Sequence, residues 1–79
     1  MVYPRLLFHR IDPARDMARF YALSIEPSLF GDHAVIRRWG RIGTRGRQMI
    51  ELHAGTDAAL AAFSRLAAAR YRRGYVAVG

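Results

Sequence analysis

Eight consecutive residues, Trp39-Gly40-Arg41-Ile42-Gly43-Thr44-Arg45-Gly46, hold the only tryptophan of the chain, three glycines and two arginines. With Arg37, Arg38 and Arg47 on the flanks, positions 37–47 carry five arginines and no acidic residue. A guanidinium presents a planar fork of N–H donors that matches phosphate oxygens. An indole offers a flat face to a sugar or an exposed base. That is the chemistry of gripping a polyanion, and it is not catalysis. The remaining reactive residues are scattered. His9, His33 and His53 lack the close ligand spacing of a zinc site, and each fits an ordinary strand or surface position. Ser24, Ser28 and Ser64 have no base-and-orienter context, and the carboxylates form no pair suited to acid–base work. The series Gly40-x-x-Gly43-x-x-Gly46 does not lead into a helix, so it is no dinucleotide or phosphate-loop fingerprint. An enzyme is not expected, and neither a cofactor nor a metal is implied.

The elements that must position this stretch can be read from periodicity. Gly43-Thr44-Arg45-Gly46 separates two alternating runs and reads as a hairpin connection, because glycine reaches positive φ without penalty. One arm spans 34–42 and places Val35, Arg37, Trp39 and Arg41 on one face. Ala34, Ile36, Gly40 and Ile42 take the other, with Arg38 as the exception. The second arm, 47–54, sets Gln48, Ile50, Leu52 and Ala54 opposite Arg47, Met49, Glu51 and His53. A strand is expected over Tyr3–Ile11 and another over Ala18–Ile25, separated by a turn at Asp12-Pro13. In the latter, Tyr21, Leu23 and Ile25 suit the core side and Arg19 the edge. A looser connection follows from Glu26 to Asp32. Thr56 is positioned to cap a helix over about 57–73, whose apolar arc is Ala59, Leu60, Phe63, Leu66, Ala67 and Tyr71. Arg70 falls within that arc, with its stem on the core rim, and Gly74 is the expected stop. Tyr75–Val78 can supply a short final strand. The expected fold is α+β: a small antiparallel sheet of about four strands with one long C-terminal helix on one face. The pattern predicts Leu60, Phe63 and Ala67 packed on Ile36, Ile50 and Leu52, leaving the Arg37/Trp39/Arg41/Arg47 face open for a ligand. Packing of Trp39 against Leu29, Phe30 or the C-terminal tail is the competing role for the indole.

Seventy-nine residues suit one domain, 1–79, with one modest core. Without cysteine there is neither a disulfide framework nor a thiolate metal site. No typical signal sequence and no span of roughly 20 apolar residues is present, so a cytoplasmic protein without membrane association is expected. The formal charge is +7, and every basic residue is arginine. Residues 1–36 balance four arginines against Asp12, Asp16, Glu26 and Asp32; residues 37–79 set nine arginines against Glu51 and Asp57. So one-sided a field favours nucleic acid through phosphate attraction and counterion release. Coding bias towards arginine, with charge serving only solubility, is the plainer account of the same numbers.

The run Arg38-Trp39-Gly40-Arg41-Ile42-Gly43, with Gly46 following, resembles the WGR domain family, named for its Trp-Gly-Arg triplet. Arg19-Phe20-Tyr21-Ala22-Leu23 upstream and the alanine-rich helix ending in Gly74-Tyr75 extend the resemblance over roughly residues 3–76. The resemblance implies a sheet-plus-helix module that binds DNA, in DNA-dependent poly(ADP-ribose) polymerases at strand breaks, and relays that binding to neighbouring domains. Carried over residue by residue, Trp39 packs on a sugar near a DNA terminus and Gly40 lets backbone approach. Arg41 takes part in terminal-phosphate or interdomain contacts, and Tyr75 is a further contact after the helix. These residues contain no polymerase domain themselves, so the relay is not carried over. The leading expectation is a non-catalytic, largely sequence-independent DNA-binding module, with nicks or 5′-phosphorylated ends as favoured targets. Its site residues are Trp39, Gly40, Arg41, Arg37, Arg45, Arg47 and Tyr75. The alternatives are a protein-interaction module serving a separately encoded partner and RNA binding through the same face.

Overall fold

The computed structural model describes residues 3–79. Strand β1 spans Arg5–Asp12 and β2 Met17–Pro27, joined through a 3-10 turn at Pro13–Arg15. Strands β3, His33–Arg41, and β4, Arg47–His53, form the central hairpin. Helix α1 follows over Thr56–Arg72, and a two-residue strand β5, Val76–Ala77, closes the series. All pairings are antiparallel, and the sheet order is β4-β3-β2-β1-β5. The strands predicted from alternation are present with ends shifted by one or two residues.

Pairing registers put the side chains of one face into rows across the sheet. Ile25 lies beside Val35; Leu6, Leu23, Arg37 and Met49 form the next row; Phe8, Tyr21, Trp39 and Arg47 the next; Arg10, Arg19 and Arg41 the last. Helix α1 covers the apolar end of this gradient. Ala59, Ala62, Phe63 and Ala67 are buried with Phe8, Tyr21, Leu23, Ile25, Val35 and Tyr75 in one core, with Trp39 and Leu66 packed at its margin.

The helix therefore chooses the face opposite to the one expected. Ile36, Ile50 and Leu52 lie on the helix-free side, with Ile50 and Leu52 more than half exposed, and Leu60 is 40% exposed. The reason lies in β1 and β2 at the middle of the sheet. Their inward residues Phe8, Tyr21, Leu23 and Ile25 form a larger continuous apolar surface than Ile36, Ile50 and Leu52 near the edge. Buried apolar area decides the side. The helix start also differs. Gly55 is the N-cap and offers no side chain, while the Thr56 hydroxyl lies 3.3 Å from His33 Nε2. Gly74 ends the helix as predicted, at φ 83°. Its N–H donates to the Tyr71 carbonyl and that of Tyr75 to the Arg70 carbonyl, the paired bonds of a Schellman turn. That turn fixes Tyr75 beside Arg70.

Two glycines make the central hairpin possible. A Cβ on Gly46, at φ 71°, would overlap the carbonyl of Trp39, and one on Gly40 would meet the Gly46 Cα at 2.8 Å. Both approaches are to backbone, which cannot turn aside as a side chain can. Gly46→Ala should therefore destabilise the domain by more than the ~1–2 kcal/mol of the left-handed conformation alone, as read in a denaturant melt. An unchanged melting curve would remove this constraint.

Candidate nucleic-acid interface

Where the helix ends, the sheet face turns cationic, and a cleft of about 630 Å³ opens between the C-terminal end of α1 and strands β2 and β3. Trp39, Tyr21 and Tyr75 give it aromatic walls. Six arginines line it, Arg15, Arg19, Arg37, Arg41, Arg70 and Arg73, against one carboxylate, Asp16. Cations and rings are interleaved. Arg37 Cζ lies 5.9 Å from the Trp39 ring centroid, Trp39 stacks on Tyr21 at 6.4 Å and 27°, and Tyr75 meets Tyr21 edge-on at 6.4 Å. Arg70 Cζ sits 4.4 Å from the Tyr21 centroid and 5.4 Å from that of Tyr75. Such contacts hold guanidiniums in place without neutralising them.

The local sequence explains these positions. Trp39 and Tyr21 are Cα partners in adjacent strands, so alternation places both rings on one face. Arg19 and Arg41 pair one row further along, beyond the reach of the helix. The triplet arginine is tethered at the cleft mouth: Arg41 Nη2 lies 3.8 Å from Asp16 Oδ1, and Nη1 donates to the Asp16 carbonyl at 3.5 Å. Asp16 is the one non-glycine residue with positive φ among the described residues.

Of the residues singled out from sequence, Trp39, Gly40, Arg41, Arg37 and Tyr75 all line the cleft. Trp39 is half-buried, neither a free indole nor a core residue, and Tyr75 is buried with one side on the cleft. Arg47 is the Cα partner of Trp39 on β4 and shares its face without lining the cleft. Arg45 lies in the exposed hairpin loop, apart from the others. Neither Leu29 nor Phe30 packs on Trp39; both are more than 90% exposed. Sequence reasoning missed Tyr21, Arg15, Arg19, Arg70 and Arg73 as cleft residues. Arginine at the end of an apolar arc was the available signal, and it has an ordinary explanation in the helix dipole. Among the described residues no group of three metal-ligating side chains gathers. No helix is long and apolar enough to cross a membrane.

Comparison with known proteins bears directly on this arrangement. The WGR domain family matches residues 4–79. The chain belongs to the WGR domain family. The match spans the whole sheet, the helix and the Trp39-Gly40-Arg41 triplet at the cleft, and WGR domains are non-catalytic modules. The chain is also similar to an uncharacterized protein, y4dW, of Sinorhizobium fredii (strain NBRC 101917 / NGR234). The two are 48% identical over 71 residues, which is 90% of this chain and 35% of that protein. The chain thus spans about a third of the length of that relative. No solved structure matches the chain.

Proposed function

We propose that this WGR domain is a largely sequence-independent DNA-binding module that favours strand ends or nicks, working as one unit in the cytoplasm. The observation that carries the reading is the cleft itself, lined by six arginines, one carboxylate and the rings of Trp39, Tyr21 and Tyr75, with Arg37 and Arg70 over ring faces. Phosphates answer the guanidiniums, and a sugar or unstacked base answers the rings. A protein partner would be favoured by an apolar patch around the indole. On its own face Trp39 has Tyr21 and the core on one side, and Arg37, Arg41 and Arg47 around the rest.

End preference follows from stacking. The bases of an intact duplex are already stacked, so an indole gains little there, whereas a nick or terminus exposes a sugar and base edge at small cost. Trp39→Ala should weaken binding to nicked or open-ended duplexes by roughly 1–3 kcal/mol, the usual worth of a base–aromatic stack. Binding to an end-blocked duplex should change little. Competition among intact, nicked and end-blocked oligonucleotides checks this, with circular dichroism as the control for folding. Equal wild-type binding to all three would leave a generic basic surface. Tighter binding to the matched RNA would move the reading to RNA.

The second reading, a protein-interaction role, draws on a different part of the molecule. Leu29 and Phe30 project from the β2–β3 loop at 97% and 91% exposure, and Ile50 and Leu52 are exposed on the helix-free face. Large exposed apolar side chains of this kind suit a protein surface. None of these four residues lines the cleft, so the two roles are separable by mutation.

A further inference from the structure

The two edges of the sheet are finished differently. On one side β5 and the C-terminal residues close over β1: Phe8 and His9 pair with Ala77 and Val76, and Leu7 bonds to Gly79 and Val78 through its N–H and carbonyl. On the other side β4 has β3 as its one neighbour, and among the described residues nothing pairs with its outer edge. Natural edge strands are commonly guarded by a proline, a lysine or a bulge that spoils further pairing. Strand β4 has none of these: Arg47–His53 contains neither proline nor lysine, and its register with β3 runs unbroken through seven pairs. Its side chains are exposed on both faces, Met49 on the helix side and Ile50 and Leu52 on the other. Two charges share the helix side of this strand, Arg47 and Glu51, about 13 Å apart along it. Neither has an ion-pair partner among the described residues.

We infer that a second copy of this chain adds to the sheet along β4, antiparallel to it and centred on Met49. When a strand pairs with itself about a twofold axis, a residue some steps before the centre meets the residue as many steps after it. Centring on Met49 sets Arg47 opposite Glu51 of the second copy, and symmetry sets Glu51 opposite its Arg47. Both unpaired charges are then answered on one face, as cross-strand neighbours of opposite sign. On the helix-free face Ile50 meets Gln48 of the second copy, and the two Ile50 side chains lie diagonally across the axis. Centring on Ile50 would set Arg47 against His53 and Glu51 against Met49, and neither pair is complementary. The free main-chain groups of β4 supply the affinity, as in other cases of strand addition, and the charges choose the register. Because β5 closes over the other edge, addition stops at two copies and does not run on as a filament. The axis stands perpendicular to the sheet, so both helices and both clefts lie on the same side, with the two Trp39 residues roughly 20 Å apart. Each copy carries +7, and at physiological salt that repulsion is screened over about 8 Å.

No contact in this pairing involves nucleic acid, so the dimer and the DNA reading stand or fall separately. Sedimentation equilibrium of the 79-residue chain, from micromolar to millimolar concentration at physiological salt, should show a reversible monomer–dimer equilibrium with no larger species. Glu51→Arg and Arg47→Glu should each weaken the dimer about tenfold or more, because two attractive pairs become repulsive. Both substitutions in one chain should restore it, and so should mixing the two single variants. Circular dichroism checks folding, and Glu51→Gln, which removes the attraction without adding repulsion, replaces the arginine variant if that one unfolds. The chain has no cysteine, so single-cysteine variants report the register. Met49→Cys places two thiols at one antiparallel pair, with Cα atoms about 4.5–5.5 Å apart and within disulfide reach. It should cross-link on mild oxidation. Leu52→Cys, roughly 20 Å from its counterpart, should not. A monomer at every concentration overturns the inference and leaves the Leu29 and Phe30 surface to another protein. A dimer that ignores both charge reversals overturns it too, as does one that cross-links through Leu52→Cys and not through Met49→Cys. An open-ended series of oligomers would show that the second edge is not closed, and the twofold dimer would fall.

Discussion

Raising salt from about 50 to 200 mM should weaken duplex binding by roughly 150-fold, a log–log slope of about −3.6 for four neutralised phosphates at about −0.9 each. Four is the number of cleft arginines without a carboxylate within ion-pair distance among the described residues: Arg19, Arg37, Arg70 and Arg73. Arg15 and Arg41 already face Asp12 and Asp16 and contribute less. Arg70→Gln combined with Arg73→Gln should bring the slope to about −1.8, since two contacts are gone. Fluorescence anisotropy over a salt series measures both slopes. A flat response in a folded protein would mean that the arginines do not meet phosphates, and the DNA reading would fall with them.

Phe63→Ala should cost about 3–5 kcal/mol, whereas Leu60→Ala, three residues earlier on the same helix, should cost well under 2 kcal/mol. Phe63 is 8% exposed within the core, and Leu60 is 40% exposed. For a chain of this length the whole stability is about 4–12 kcal/mol, so the phenylalanine variant approaches loss of folding. Urea melts of the pair test the choice of face. Equal costs would mean that Leu60 is buried after all and that the helix sits differently on the sheet.

That contrast shows how far sequence could carry the fold. A two-residue alternation sorts residues into faces without saying which face is inside. It grouped Val35, Arg37, Trp39 and Arg41 correctly, and the registers agree. Both faces, however, carry branched apolar residues. The decision between them belongs to Phe8, Tyr21, Leu23 and Ile25, which the hairpin pattern does not contain. The site was legible to the same extent. The triplet and its neighbours lay close together in sequence, and five of the seven chosen residues line one cleft. Tyr21, Arg19, Arg70 and Arg73 come from β2 and the helix end. Only the strand pairing and the turn after α1 bring them to Trp39. Arg45 adjoins the triplet in sequence, but the hairpin loop carries it away from the face its neighbours share.

The pairing of β5 with β1 has a consequence for the order of folding. The Leu7 N–H donates to the Gly79 carbonyl at 2.8 Å, and the Val78 N–H returns to the Leu7 carbonyl at 2.7 Å. These bonds join residues at nearly the full span of the chain, while the β3–β4 hairpin closes over a few residues. Loop-closure entropy makes such distant contacts late and slow, whereas the hairpin can form within microseconds. The β5 edge should thus be the last part to lock and the first to open. Hydrogen exchange should find the amides of Leu7 and Val78 less protected than those of β2. Since the turn before β5 also seats Tyr75 beside Arg70, opening of this edge would loosen one wall of the cleft while the Trp39 hairpin remained intact.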